Sequence, residues 1–359
     1  MKVVLLAATP PPVGGIATWT MRMLNIDPEF NCEYILVDEK MIGGRDMFGN
    51  NKRSLRNEWK RCRGIWNNLK KAVSDPAVEM VQSCISAETF PMIREYICAR
   101  IAKKYKKKFV MHFHCTVPNM KDSILWGPLL NRIVKMSDMI FVLNKQSEKY
   151  LQKIAKSEVV VIPNFVEKQE ILEKHEIKER ISNVLYVGGV IESKGVGDII
   201  EVAKLNPDIC FKLAGNPETS IVEKAKSVKN VMLLGQIDRE RVKQELRDSD
   251  VFMFLSRFPG EGFSLALLEA MAAGLPCIVT DWAANGDMIS DEGGITIKDY
   301  SISTVSKALR DMQDPNVRKM QSVRNIETVK QFFSAETVFG QFVTAYERCL
   351  LRDGKRNRN

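Results

Sequence analysis

The chain has 359 residues, 45% hydrophobic and 27% charged, which is enough for two domains with cores of their own. Eight scattered cysteines with no Cys-x-x-Cys pair argue against a disulfide scaffold and a structural zinc site, and fit reduced thiols in a cytoplasm. The net charge of +9 is uneven: residues 1–165 hold 26 Lys and Arg against 15 Asp and Glu, a balance of +11, and residues 166–359 hold 27 against 29. An anionic partner for the first half follows, whether a membrane surface, a phosphorylated acceptor or nucleic acid. The nucleic-acid option lacks any interleaved aromatic and basic module, so no nucleic-acid partner is expected.

In chain order, Lys2 to Ala7 reads as a buried strand rather than a signal peptide, because its apolar run is short and Pro10-Pro11-Pro12 follows. No run is long enough for a transmembrane helix. A cytoplasmic protein is expected, with the inner face of the cell membrane as an open alternative. Gly14-Gly15 lies in the strand-to-helix loop before a helix over 16–24, where glycine permits close backbone approach to a ligand. It is not the dinucleotide string G-x-G-x-x-G. Tyr34 to Val37 reads as a strand and Met41 to Asn51 as a mobile loop. Leu55, Trp59, Cys62, Trp66, Leu69 and Val73 then recur at helical spacing, with Arg and Lys filling much of the remainder. That stripe either packs on a sheet or rests on anionic lipid.

Met80 to Cys84 reads as a strand, Phe90 to Lys104 as a helix, and Lys103 to Lys108 as its basic end. Phe109 to His114 is the next strand, with His112 and His114 on one face at period two. His-x-His suits a metal pair, but no third ligand is evident nearby, so no metal is expected. A histidine ending a parallel strand suits a ligand crevice; two packed core histidines are the bland reading. Asp138 to Leu143 and Glu158 to Ile162 are further strands, around a helix over 145–156. Residues 166–182 are charged and connect two domains.

Asn183 to Val187 opens the second domain, followed by Gly188 to Gly195 and a helix over 196–205. Asp208 to Leu213, Val231 to Gly235 and Val251 to Leu255 are strands, and Asp238 caps a helix to Asp248. Asp248-Ser249-Asp250 sits at a helix end and is not taken as a metal motif. Glu261-Gly262-Phe263-Ser264-Leu265 then leads into a helix holding Glu269, with Ser264 as its N-cap and Gly274 with Pro276 as its stop. A helix mouth of this kind offers backbone N–H groups and partial positive charge to a phosphate. Glu261 in the loop and Glu269 along the helix could each hold a pair of sugar hydroxyls. Asp281 to Asp287 reads as a polar loop, Cys277 to Thr280 and Gly294 to Ile297 as strands, and 301–351 as mainly helical with a loose tail.

The string from Glu261 to Glu269 resembles the Glu-x7-Glu signature of the retaining, nucleotide-sugar-dependent GT-B glycosyltransferases of family four (group 1), a type found in bacterial polysaccharide assembly. The resemblance implies an α/β fold of two doubly wound Rossmann-like domains facing an interdomain cleft. Residues 1–165 would bind the acceptor and 166–335 the nucleotide sugar, with 336–359 a helix crossing back plus a tail. It implies that Glu261 contacts the donor sugar and Glu269 the ribose. Gly14, Gly15, Gly262, Phe263, Ser264 and Leu265 would also line the donor, and Gly15, His114 and Thr116 the acceptor. Lys194 and Gly195 match the family's Gly-Arg-x-x-x-x-Lys-Gly, whose two cations neutralise the diphosphate, but Gly189 stands where the arginine belongs. Arg257 is a candidate substitute. Phe165 likewise replaces a family glycine.

The reading is a retaining hexosyltransferase that moves a sugar from a nucleoside-diphosphate donor, such as a UDP-sugar, to a hydroxyl of a glycan or lipid-linked acceptor. His114, Lys194 and Glu261 would serve the reaction, with neither cofactor nor metal. An inactive nucleotide-sugar-binding subunit and a GT-B epimerase or phosphorylase are the alternatives.

Overall fold

The computed structural model describes residues 1–25, 30–40, 54–289 and 292–356, so the loop expected over 41–51 lies outside the described residues. The chain forms two units, Met1–Asn164 with Glu336–Asn359, and Phe165–Ala335.

The first unit runs β1 (Lys2–Ala7), α1 (Gly15–Leu24), β2 (Glu33–Asp38), α2 (Leu55–Val73), β3 (Met80–Ile85), α3 (Thr89–Lys104), β4 (Lys108–Phe113), α4 (Trp126–Met136), β5 (Met139–Val142), α5 (Lys145–Leu151) and β6 (Glu158–Val161). The six strands pair in the order β2-β1-β3-β4-β5-β6, all parallel. Parallel strands are covered on both faces and therefore read as continuous apolar runs. Every residue of β3 is buried, including Gln82 and Ser83. At the end of β2, buried Arg94 of α3 bridges the carboxylates of Glu39 (2.6 Å) and Glu95 (2.5 Å).

The second unit runs β7 (Asn183–Val187), α6 (Val196–Lys204), β8 (Cys210–Ala214), α7 (Thr219–Ala225), β9 (Val231–Gly235), α8 (Arg239–Asp248), β10 (Val251–Phe254), α9 (Leu265–Ala272), β11 (Cys277–Thr280), α10 (Asn285–Met288), β12 (Gly294–Ile297), α11 (Ile302–Asp311) and α12 (Pro315–Thr328). Its strands pair in the order β12-β11-β10-β7-β8-β9, again all parallel. A π-helical turn, Val329–Phe333, leads to α13 (Ala335–Arg356), most of which belongs to the first unit. There Phe342 packs on Phe141 and His112, and Tyr346 on Phe141. Two doubly wound α/β sheets are thus present, as the sequence implies.

Several local expectations change. The apolar stripe of α2 does not pack along its whole length: Cys62, Leu69 and Val73 are buried, but Leu55 is 82% and Trp59 61% exposed. Ile65, outside that stripe, is buried instead. In the first two turns the buried side chain is Glu58, paired with Arg61, while the apolar residues there face outward. The helix α4 goes unread in the sequence because Gly127 and Pro128 interrupt its start. The helix after Asn144 stops at Leu151, short of Lys156, and the polar stretch from Asp281 contains the short helix α10.

Candidate active site

In a doubly wound sheet, ligands bind beyond the carboxyl ends of the strands where the strand order reverses. The reversal in the second unit lies between β10 and β7, and the loops that follow those two strands carry Lys194 and Glu261. After β7 the chain makes a single 3-10 turn, Glu192–Lys194, closed by Gly195 at φ 74°. A Cβ on Gly195 would sit 2.2 Å from the Leu255 carbonyl oxygen, so only glycine lets this turn press on the end of β10. That contact sets the lysine beside the second loop. The Lys194 Nζ lies 3.4 Å from both carboxylate oxygens of Glu261 and 5.4 Å from the centre of the Phe258 ring.

Glu261 is held from the other side as well. The buried Ser256 hydroxyl donates to it at 3.1 Å, and Thr280 Oγ1 donates to the Ser256 carbonyl at 2.7 Å. Tyr186 lies close enough that its phenol pKa rises, first through burial and then through the Glu261 charge. Three residues on, Ser264 caps α9 and accepts from the Leu267 N–H at 3.2 Å, as its N-cap assignment requires. The remaining first-turn amides of α9, at Leu265 and Ala266, have no partner within the helix by construction. Phe263 fixes the loop by packing edge-on to Phe333 at 5.2 Å.

Glu269, one turn further along α9, lines a pocket of about 50 Å³ with Glu170, Leu172 and Arg239. Arg239 pairs with Glu170 at 2.5 Å. Burial lowers the Arg239 pKa, but the Glu170 hydrogen bond and the nearby carboxylates outweigh it and raise the value.

Gly189 has no steric reason to be glycine, since a Cβ there would meet only Ile191 Cδ1 at 4.0 Å. Arg257, the candidate substitute cation, is committed elsewhere. Its guanidinium donates to Asp198 at 2.6 Å and lies 4.1 Å over the Tyr300 ring, while the Tyr300 hydroxyl donates to the same Asp198 oxygen. A ligand phosphate would have to draw Arg257 away from Asp198 to use its charge.

In the first unit the order reverses between β1 and β3. Gly14 and Gly15 follow β1, and no atom beyond their chain neighbours lies within 4 Å of a Cβ built on either, so the loop leaves open space. α1 starts there and brings Trp19 edge-on to His112 (5.1 Å) and His114 (4.7 Å). The two imidazoles lie 4.0 Å apart, on one face as their spacing requires. Burial pushes the His114 pKa down to about 3, and burial plus the neighbouring His114 holds that of His112 well below its ordinary range. Both rings are neutral near pH 7. The Nε2 atom of each is buried without a hydrogen-bond partner among the described residues. Thr116 lies just beyond, its hydroxyl accepting from Asn144 Nδ2 at 2.9 Å.

Behind His112 runs a polar chain that the sequence does not announce. Tyr34 and Tyr346 hydroxyls meet at 3.2 Å, Tyr346 donates to Gln82 Oε1, and Gln82 Nε2 faces His112 Nδ1 at 3.3 Å. Gln82 therefore donates to Nδ1, and the network places the ring proton on Nε2. No local motif marks Trp19, Gln82 or Tyr346, because their roles come from pairing across strands and from a helix near the end of the chain.

The expectation that His112 and His114 lack a third ligand is corrected. Cys84 pairs with His112 across the β3–β4 ladder, and its sulfur and the two rings offer ligand atoms within 4.8 Å of one another. The group nevertheless suits a cation poorly. The Gln82 amide donor points at both Cys84 Sγ (3.6 Å) and His112 Nδ1 (3.3 Å), and burial raises the Cys84 thiol well above its usual pKa, opposing the thiolate that a metal needs.

Residues 167–326 match the family model for Glycosyl transferases group 1. Among curated relatives, N-acetyl-alpha-D-glucosaminyl L-malate synthase of Bacillus anthracis is 25% identical over 72% of this chain and 73% of its own length. The processive diacylglycerol alpha-glucosyltransferase of Acholeplasma laidlawii is 28% identical over 50% of this chain and 62% of its own. Among solved structures, Anabaena HepE in complex with UDP and glucose superposes with a TM-score of 0.75 at 13% identity, covering 97% of this chain and all (100%) of that one. Sucrose-phosphate synthase of Thermosynechococcus elongatus gives 0.74 at 15% identity, covering 97% and 98%. The family match and the relatives support a glycosyltransferase of group 1, and the structural likeness gives the fold as GT-B.

Proposed function

We propose that this group 1 glycosyltransferase is a retaining hexosyltransferase that moves a sugar from a nucleoside-diphosphate donor, in our reading a UDP-sugar, to a hydroxyl of a glycan or lipid-linked acceptor. The observation that carries the proposal is the Lys194–Glu261 pair beside the capped mouth of α9. A cation, a helix N-terminus and a carboxylate side by side suit a diphosphate attached to a hydroxyl-rich ring. The binding of UDP and UDP-glucose by HepE, and the sugar-transfer names of the relatives, support the donor class.

In this reading Lys194 and the first-turn amides of α9 take up charge on the diphosphate as its bond to the anomeric carbon breaks. Glu261 holds sugar hydroxyls and Glu269 the ribose. The acceptor oxygen bonds to the same face of that carbon, and its proton leaves with the diphosphate. Gly14, Gly15, His114 and Thr116 shape the acceptor side, where His114 acts as a neutral hydrogen-bonding ring. No cofactor and no metal is invoked. The work would be done in the cytoplasm, at the membrane's inner face when the acceptor is lipid-linked.

Gly189 and the engaged Arg257 favour one second reading, a subunit that binds nucleotide sugar without turning it over. Thermal stabilisation of the protein by a panel of nucleotide sugars, alongside Glu269→Ala, tests the site. A shift with one donor that the variant loses supports it, and transfer of that sugar to an acceptor then separates enzyme from binding subunit. No shift with any donor overturns both.

A further inference from the structure

In the first unit all six strands are parallel, so their carboxyl ends share one edge and the helices that follow begin there. Three of those helices are neighbours in a row, α2 beside α3 and α3 beside α4. Their starts are tied to the edge and to each other. Arg61 in the second turn of α2 donates to the Glu39 carbonyl just past β2 at 2.9 Å. The Thr89 N–H at the start of α3 donates to Asp122 at 3.0 Å, and its hydroxyl meets Ser123 at 2.8 Å, in the segment leading to α4.

These starts carry an unusual load. Leu55 and Trp59 on α2 are 82% and 61% exposed, Phe90 and Ile93 on α3 38% and 45%, and Ile124 and Leu125 before α4 92% and 60%. Isolated exposed apolar side chains are ordinary, but six on adjacent helix starts at one edge are not. Cations flank them. Arg56, Lys60 and Arg63 are exposed on the same turns of α2, with Arg63 5.4 Å over the Trp59 ring, and Lys121 is exposed three residues before Ile124. The acid in that stretch of α2, Glu58, is buried and paired with Arg61 at 3.2 Å. Among the described residues, the exposed acid at the edge, Asp122, is taken by Thr89, and Glu88 at the N-cap of α3 is half-buried.

We propose that this edge is a membrane-docking surface that inserts Leu55, Trp59, Phe90, Ile93, Ile124 and Leu125 into the interface of an anionic bilayer, with Arg56, Lys60, Arg63 and Lys121 on the headgroups. The row is apolar at its centre and basic at its rim, which matches lipid and headgroup in one contact. No helix among the described residues is long and apolar enough to cross a membrane, so the edge would hold the protein on the surface. The proposal deepens the lipid-linked acceptor reading and rests on it for its purpose. Its test needs no donor, so either can fail alone.

The test is co-sedimentation of the full chain with phosphatidylcholine vesicles, with and without phosphatidylglycerol, at low and high salt. Binding to the anionic vesicles, weakened by salt, is expected. The triple variant Leu55→Ser, Trp59→Ser, Ile124→Ser should bind at least about ten-fold more weakly, since each buried apolar side chain contributes on that scale. Tyr105→Ser with Leu351→Ser, exposed apolar residues at other places on the same unit, should bind as the parent does. Brominated lipid should quench the parent's fluorescence more than that of Trp59→Phe. An unchanged melting temperature shows that each variant folds. Equal binding to neutral and anionic vesicles, no loss in the triple variant, or equal loss in the control pair would each overturn the proposal. So would a lipid-independent dimer that the triple variant breaks, because the row would then be an interface between copies.

Discussion

After β1 the chain passes through Gly14-Gly15 into α1 and lays Trp19 on two neutral histidines. After β7 a similar glycine loop delivers Lys194 to Glu261. The topology is the same, a strand at the reversal of a parallel sheet followed by a glycine turn, and the chemistry is opposite. In the second unit the charges keep some contact with water, the side chains of Lys194 and Glu261 being 22% and 10% exposed. In the first, His112 is buried and His114 half-buried against aromatic rings, which disfavours their charged forms. One strand order serves both because it fixes only where loops meet. What meets there depends on each loop and on partners far along the chain.

The comparison breaks most readily at the ionic pair. Lys194→Ala and Glu261→Gln should each lower transfer by about a hundred- to a thousand-fold, the scale of single electrostatic contacts to a developing charge. The melting temperature should fall much less than transfer does, because buried Glu261, or glutamine in its place, keeps the Ser256 hydrogen bond and Lys194 is itself partly exposed. Steady-state kinetics with the donor found by thermal shift, beside a melt of each variant, checks this. A large drop in melting temperature with little loss of transfer would make the pair structural.

The neutral histidines sharpen the other half, with an effect on stability. The His114 pKa is about 3 in the folded chain against about 6.5 when unfolded. Below pH 6.5 the unfolded chain therefore binds a proton that the folded chain refuses, and stability falls as pH falls from about 6.5 toward 3. At pH 5 the loss from this one ring is about 2 kcal/mol relative to pH 8. Denaturant melts from pH 8 to 5 should show it, and His114→Gln should flatten the slope. An equal slope in the variant would mean that His114 titrates normally.

The strands were legible as short apolar runs, continuous where a parallel strand is covered on both faces, as in β1 and β11; the edge strands β9 and β12 are only partly buried but keep the same pattern, and all of these, with β7, begin and end where the runs do. The Glu261 loop was legible because N-cap, helix and stop lie within one short string. What was not legible depends on register and distance. Cys84 reaches His112 only because the β3–β4 ladder pairs them. Arg257 is held by Asp198, 59 residues away, a pairing that no local pattern marks. Leu55 and Trp59 share the period of buried Cys62 and Leu69, and periodicity alone does not say which turns of a helix are covered.

The smallest expected effect lies at Gly189, and it bears on whether the second unit's site is complete. The loop there lacks a second cation, yet the space for one exists. Gly189 does not adopt a left-handed φ, and a Cβ would touch only Ile191 Cδ1 at 4.0 Å. The Tyr186 hydroxyl donates to its carbonyl at 2.8 Å, a backbone contact that a side chain would not remove. Gly189→Arg should therefore fold as the parent does. If a diphosphate sits over α9, the added guanidinium gains a charge-assisted hydrogen bond and tightens binding of the nucleoside diphosphate by about ten-fold. Calorimetric titration with UDP reads this directly, and Gly189→Gln controls for bulk without charge. A gain in binding with a gain in turnover would mean that one cation limits the natural site. A gain in binding with no turnover in either protein would favour the binding-subunit reading. An arginine that folds well and leaves affinity unchanged would put the diphosphate somewhere other than beside this loop.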